Sequence, residues 1–163
     1  MKDYLKLVLI LLTFLCSSAN IPAQNSEKSF DFWIGNWDVY WNDSLKGSND
    51  IIKILNNRII QENFSTMDNS FTGMSWTVFD SINNLWKQTW VDNSGAYIIF
   101  TGGEEADGVV LYTEEKTKKN GEKYYLRMKF ENINRSEFDW NWQSSPDKKY
   151  WKTVWAIKYK RKV

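Results

Sequence analysis

Large and polar side chains alternate along most of this chain. Trp37, Val39 and Trp41 fall on one side, with Asp38, Tyr40 and Asn42 on the other. The same period of two recurs at Met74, Trp76 and Val78, at Trp86, Gln88, Trp90 and Asp92, and at Leu126, Met128 and Phe130. It returns at Phe138, Trp140 and Trp142, and from Trp151 through Thr153, Trp155 and Ile157 to Tyr159. Successive side chains of a strand point to opposite faces, so this pattern predicts β-structure. Turn residues punctuate it at Asn56-Asn57, at Asp68-Asn69, at 92–95, at 118–121 and around Pro146. Expected strands cover 37–42, 49–55, 58–66, 70–80, 85–91, 96–101, 109–114, 122–131, 136–143 and 150–160. Residues 43–48, with Gly47, read as a turn, and Gly102-Gly103 as the end of the sixth strand.

About ten short strands joined by hairpin turns make an antiparallel meander. A flat sheet of that size leaves long unpaired edges, so an all-β, up-and-down, closed barrel is the expected solution. No internal repeat and no linker divides the chain, so residues 24–163 are expected as one domain. A barrel of about eight strands already holds one small ligand. Here the aromatic side chains either line the interior or fill it.

The N-terminus reads differently. Lys2 and Lys6 accompany an apolar run from Leu7 to Leu15, and small residues follow at Ser17, Ser18, Ala19 and Ala23. This is the pattern of a secretory signal peptide covering 1–23, with cleavage expected after Ala23 and, as second choice, after Ala19. The run is short for a bilayer span. The alternative is a lipoprotein anchored at Cys16, although Leu15 precedes it where Gly or Ala is usual. Either way the chain is expected outside the cytoplasm, secreted or periplasmic.

Composition narrows the chemistry. Ten Trp, nine Phe and eight Tyr in 163 residues suit a broad aromatic interior. A formal net charge of +1 gives no electrostatic case for nucleic acid. There is no His, and the one Cys lies in the segment expected to be removed. A Ser-His-Asp triad, a Cys-His pair, an ordinary zinc site and a His-ligated haem are therefore excluded. No cofactor is expected.

The stretch Phe30-Asp31-Phe32-Trp33-Ile34-Gly35-Asn36-Trp37-Asp38-Val39-Tyr40-Trp41, with Gly-x-Trp at the mouth of the first strand, resembles the opening of lipocalins and of related small barrels such as nitrobindins. Together with Gln88-Thr89-Trp90-Val91-Asp92-Asn93-Ser94-Gly95 it is similar to a family of secreted lipocalin-like bacterial domains with no settled function. The resemblance implies a calycin-type barrel. It also implies a basic residue, Lys158 or Arg161, stacked on Trp37. The nitrobindin haem histidine has no counterpart here, and Gln143 stands where Glu is expected in the bacterial family.

Within this frame several residues are candidates. Ile60, Glu62 and Phe64 share one strand face. If that face points inward, burial raises the Glu62 pKa and makes it a site candidate; if Ile59, Gln61 and Asn63 point inward instead, Glu62 is solvated. Trp86, Gln88 and Trp90 set one amide between two indoles, a common way to build a ligand slot; the competing reading is a core strand entering an Asx turn at Asp92. Trp76 and Trp142 are further expected wall residues. Alternation of Leu126, Met128 and Phe130 sends Arg127 outward; in the other register it faces Glu62 or an acidic ligand.

The favoured reading is a secreted protein that binds a small apolar or aromatic ligand inside the barrel through Glu62, Trp76, Trp86, Gln88, Trp90, Arg127 and Trp142. One alternative is a cofactor-free isomerase, cyclase or hydrolase with Glu62 as general acid or base. Another is glycan recognition by exposed Trp faces. Where the indoles lie separates the last from the first two.

Overall fold

A computed structural model describes residues 25–163, so the expected signal peptide and Cys16 lie outside the described residues. A single 3₁₀ turn, Asp31–Trp33, precedes all the strands. These are β1 (Gly35–Trp41), β2 (Ser44–Ile54), β3 (Ile59–Thr66), β4 (Thr72–Asp80), β5 (Leu85–Asp92), β6 (Tyr97–Glu105), β7 (Gly108–Tyr112), β8 (Lys116–Thr117), β9 (Lys123–Glu131), β10 (Glu137–Ser145) and β11 (Lys152–Arg161). Each strand pairs antiparallel with its sequence neighbour, except that β7 pairs past the two-residue β8 with β9. Pairing of β1 with β11, Trp37 opposite Arg161 and Val39 opposite Tyr159, closes the ring. Ten strands thus form a closed antiparallel barrel, an architecture consistent with lipocalin-like and calycin-like folds.

Local chemistry explains where the chain turns. Asn42 and Asp43 both hold positive φ, 51° and 57°, the geometry of a two-residue hairpin loop. The turn therefore comes earlier than 43–48, and β2 starts at Ser44. Gly47 lies inside that strand, where an added Cβ would sit 2.5 Å from the Ser65 carbonyl oxygen. Likewise β6 does not stop at Gly102-Gly103 but runs through them. A Cβ on Gly102 would lie 2.1 Å from the Val110 carbonyl oxygen, so glycine there permits a close backbone approach.

The last strand departs from strict alternation. Trp142 pairs with Trp155, but Gln143 pairs with Thr153, so Val154 is an extra residue in the ladder. Trp155, Ile157 and Tyr159 remain inside, whereas Trp151 and Thr153 are turned out. Trp151 packs on Tyr112, and Thr153 accepts a hydrogen bond from the outward-facing Gln143.

The segment before β1 seals one end. Phe30 and Trp33 are buried there, and their rings meet Phe130 at 5.5 and 5.4 Å and each other at 5.7 Å. Trp37 is fully buried, edge-on to Phe138 at 4.8 Å, and its Nε1 donates to the Trp33 carbonyl at 2.8 Å. Arg161 stacks on Trp37, its guanidinium carbon 4.1 Å from the ring centre. The same guanidinium donates to the carbonyls of Ile34, Phe32 and Arg135 at 2.8, 3.1 and 2.8 Å. Of the two basic residues expected at this position, Arg161 takes it, while Lys158 pairs with Asp139 on the outer surface. Among the described residues no helix is long and apolar enough to cross a membrane.

Candidate functional site

The inner faces of the strands enclose a cavity of about 220 Å³. Its walls include Glu62 and Phe64 from β3, Gln88 and Trp90 from β5, Trp140 and Trp142 from β10, and Trp155, Ile157 and Tyr159 from β11. Trp33, carried in by the 3₁₀ turn, and Phe130 also line it. Phe71, Trp90, Ile98, Trp140, Trp142 and Trp155 are half-buried and form the approach from solvent. Trp140 and Trp142 lie parallel, 6.2 Å apart, with Trp155 edge-on to Trp140.

Glu62 is 6% exposed, because the face carrying Ile60, Glu62 and Phe64 turns inward. One carboxylate oxygen accepts from Asn49 Nδ2 and the other from Ser75 Oγ, both at 2.6 Å. Asn49 Nδ2 also donates to the Tyr159 hydroxyl at 3.2 Å. A polar chain thus crosses the inner wall from β11 through β2 and β3 to β4. Among the described residues no Lys or Arg lines the cavity. Burial pushes the Glu62 carboxyl from its ordinary 4.5 up to about 6, against the opposing hydrogen bonds from Ser75 and Asn49. Burial also holds the Tyr159 hydroxyl far above its usual range, so it stays protonated.

Three buried polar atoms have no partner among the described residues: Trp33 Nε1, Asn49 Oδ1 and Gln88 Oε1. The Gln88 amide nitrogen donates to Thr77 Oγ1 at 2.8 Å, which leaves its oxygen unmatched. Unpaired buried polar groups are uncommon, and two of these belong to residues that line the cavity.

The structure brings Glu62, Gln88, Trp90 and Trp142 to one cavity and sends three other expected residues elsewhere. Trp76 is 39% exposed on the outer face, because Gly73, Ser75 and Thr77 are the inward residues of β4. Small inward residues there read as polar in the sequence, and the bulky outward ones imitated a core face. Trp86 does point inward, but it packs on Phe30 at 4.9 Å and its Nε1 donates to the Ser26 carbonyl, so it belongs to the sealed end. Arg127 faces outward, 4.1 Å over Trp151, with Nε donating to Gln143 Oε1 at 2.6 Å. It reaches neither Glu62 nor the cavity, as alternation with Met128 and Phe130 requires.

Sequence reasoning passed over Trp33, Asn49, Ser75 and Tyr159 as site residues. Their contacts with the site depend on which distant strands become neighbours, and only the face assignment of Tyr159 was readable in advance.

The position of Glu62 has a measurable consequence for stability. A carboxyl whose pKa rises on folding stabilises the fold fully below its unfolded value, and that contribution is lost as pH rises through the folded value. With the shift from 4.5 to about 6, wild type should lose roughly 2 kcal/mol relative to Glu62→Gln between pH 4 and pH 7.5. Urea denaturation of both proteins across that range checks it. Parallel curves would show that Glu62 is hydrated in the folded state.

Comparison with protein-family models finds no match for this chain, and comparison with curated proteins finds none either.

Proposed function

We propose that this is an exported lipocalin-like protein that holds a small, largely apolar ligand inside its barrel. The finer assignment to the secreted bacterial lipocalin-like domains rests on the Phe30–Trp41 and Gln88–Gly95 stretches. The supporting observation is the cavity, an aromatic chamber into which one carboxyl and one half-satisfied amide project. Apolar walls with a few placed polar groups are the usual construction of a ligand site. Its size is adequate: an apolar cavity of about 150 Å³ takes benzene, so about 220 Å³ admits a ring with a short chain. Eight of the ten Trp belong to the core or pack against it, leaving Trp76 and Trp151 outside, which favours the interior over glycan recognition. The apolar run at 7–15 and the small residues after it are what support export.

A second reading keeps Glu62 as a general acid, since a carboxyl titrating at about 6 is partly protonated near neutrality. Alone it supplies ~10²–10⁴-fold, so turnover would be confined to reactive substrates.

Binding is tested by titrating single-ring and double-ring probes against intrinsic Trp fluorescence. Wild type should quench on binding. Trp90→Ala should weaken the strongest probe roughly tenfold, equivalent to about 1.4 kcal/mol, with its far-UV spectrum unchanged. Gly73→Ala should act in the same direction, because the new Cβ would lie 2.1 Å from Trp90 Cζ2 and push the indole aside. No quenching by any probe would make the chamber a packed core and return the function to the surface.

A further inference from the structure

Resting on the interior-ligand reading, we propose that the polar end of the ligand is an ammonium group: the cavity is built for a small organic cation with an aromatic or aliphatic body, anchored at Glu62. Three features converge on this.

The first is charge. Among the described residues, Glu62 is the only acidic residue lining the chamber, and no basic residue lines it. The groups that face it from the packed elements are Asn49 on β2, Ser75 on β4 and, through Asn49, Tyr159 on β11. None of these carries positive charge, and Tyr159 is held neutral by burial. Buried carboxylates are ordinarily matched by a cation or kept protonated. A ligand ammonium supplies the missing charge.

The second is the wall. Trp33, Trp90, Trp140, Trp142 and Trp155 surround the space with indole rings. An aromatic face carries the negative side of the ring quadrupole and attracts cations, indole most strongly, and cages of such rings recognise ammonium groups. The same faces, with Glu62, oppose an anionic ligand.

The third is hydrogen-bond stoichiometry. Among the described residues, the unpaired buried atoms that belong to cavity-lining residues are Gln88 Oε1, an acceptor, and Trp33 Nε1, a donor, since Asn49 does not line the cavity. An ionised Glu62 adds further acceptor capacity, since a carboxylate offers about four lone-pair sites and two protein donors reach it. The open acceptor sites of an ionised Glu62, with Gln88 Oε1, suit a ligand that donates hydrogen bonds. An ammonium has three donors and no acceptor, a hydroxyl has one donor, and a carboxylate has none.

Recognition of this kind is coupled to protons. Alkylammonium groups titrate near 10.4 and stay charged at neutral pH. Glu62 at about 6 must lose its proton to pair with one. Affinity for an amine therefore climbs as pH rises through 6 and levels off above about 7, with a proton released on binding below that point.

Three probes of matched shape decide the matter: 2-phenylethylamine, 2-phenylethanol and 3-phenylpropionate, titrated by calorimetry and Trp fluorescence against the mature protein. At pH 8 the amine should bind at least tenfold more tightly than the alcohol, and the carboxylate should bind most weakly. Lowering the pH to 5 should weaken the amine roughly tenfold and leave the alcohol unchanged. Glu62→Gln should abolish the amine preference and its pH dependence while retaining the alcohol, which also shows that the variant is folded. Equal or tighter binding of the alcohol, tighter binding of the carboxylate, or an amine preference that survives Glu62→Gln would overturn the cation assignment and leave the interior-ligand reading standing. Binding of none of the three, by wild type, would overturn both.

Discussion

Trp37→Ala should lower unfolding stability by about 3–5 kcal/mol, the range for truncating a buried aromatic side chain. Trp37 is fully buried, and its indole serves three neighbours at once. Its edge meets Phe138 at 4.8 Å, its face carries the Arg161 guanidinium at 4.1 Å, and its N–H satisfies the Trp33 carbonyl at 2.8 Å. Truncation removes the packing, opens a void beneath the 3₁₀ turn and leaves a carbonyl without its donor, and these losses reinforce one another. Trp37→Phe separates them, because it keeps a ring under Arg161 and loses the N–H; it should fall between wild type and Trp37→Ala. For a domain whose total stability is about 5–15 kcal/mol, the alanine variant sits close to unfolding at 37 °C. Urea melts give the comparison directly, and a loss below about 1 kcal/mol, the level of an ordinary surface change, would show that the indole is not part of the core.

Arg161→Met should cost about 2–4 kcal/mol, combining charge-assisted hydrogen bonds with a partly desolvated cation–π contact. The guanidinium bonds to Ile34, Phe32 and Arg135 carbonyls while lying flat on Trp37. A methionine of similar length preserves much of the packing, so the loss isolates the polar contacts. Arg161→Lys should recover only part of it, since a single ammonium cannot replace a planar fork directed at several carbonyls. The effects of Arg161→Met and Trp37→Ala should be less than additive in the double variant, because each removes the other's partner. Strict additivity in denaturant melts would mean that the stacked geometry contributes nothing. Lys158→Met provides the contrast. Its ion pair with Asp139 is solvated, and such pairs contribute about 0–1 kcal/mol.

Much of this fold is legible in the sequence because the barrel obeys a local rule. Alternation at Phe138, Trp140 and Trp142, or at Leu126, Met128 and Phe130, assigns inner and outer faces without knowledge of partners, and both assignments match the structure. Alternation fails where the ladder itself is irregular. Val154 shifts the register of β11, so Trp151 and Thr153 leave the face that Trp155 occupies. It misleads on β4, where Gly73, Ser75 and Thr77 face inward because neighbouring bulk leaves little room: a Cβ on Gly73 would already collide with Trp90. Glycines at 47, 102 and 103 look like turn signals and are instead places of close approach to other parts of the chain. Glu62 and Gln88 could be picked out as polar residues on apolar faces. Their partners Asn49, Ser75 and Tyr159 come from other strands, and Asn49 and Tyr159 are 110 residues apart, a separation that no local pattern encodes.

Joining β1 to β11 also governs how the molecule comes into being. The contacts that close the ring and the floor bridge very long stretches of chain, 127 residues from Arg161 to Ile34 and 129 to Phe32. Contacts this distant carry a large loop-closure entropy before they return any stabilisation, and chains dominated by them fold in milliseconds to seconds rather than microseconds. The chamber takes one wall from β11 and its floor from the segment before β1, so it exists only after β11 has docked against β1. Until then the sheet has two open edges, each a template for pairing with another chain. A growing polypeptide therefore gains its interior in one late, all-or-none event, and a chain cut short before residue 152 would offer an aggregating sheet instead of a weakened barrel.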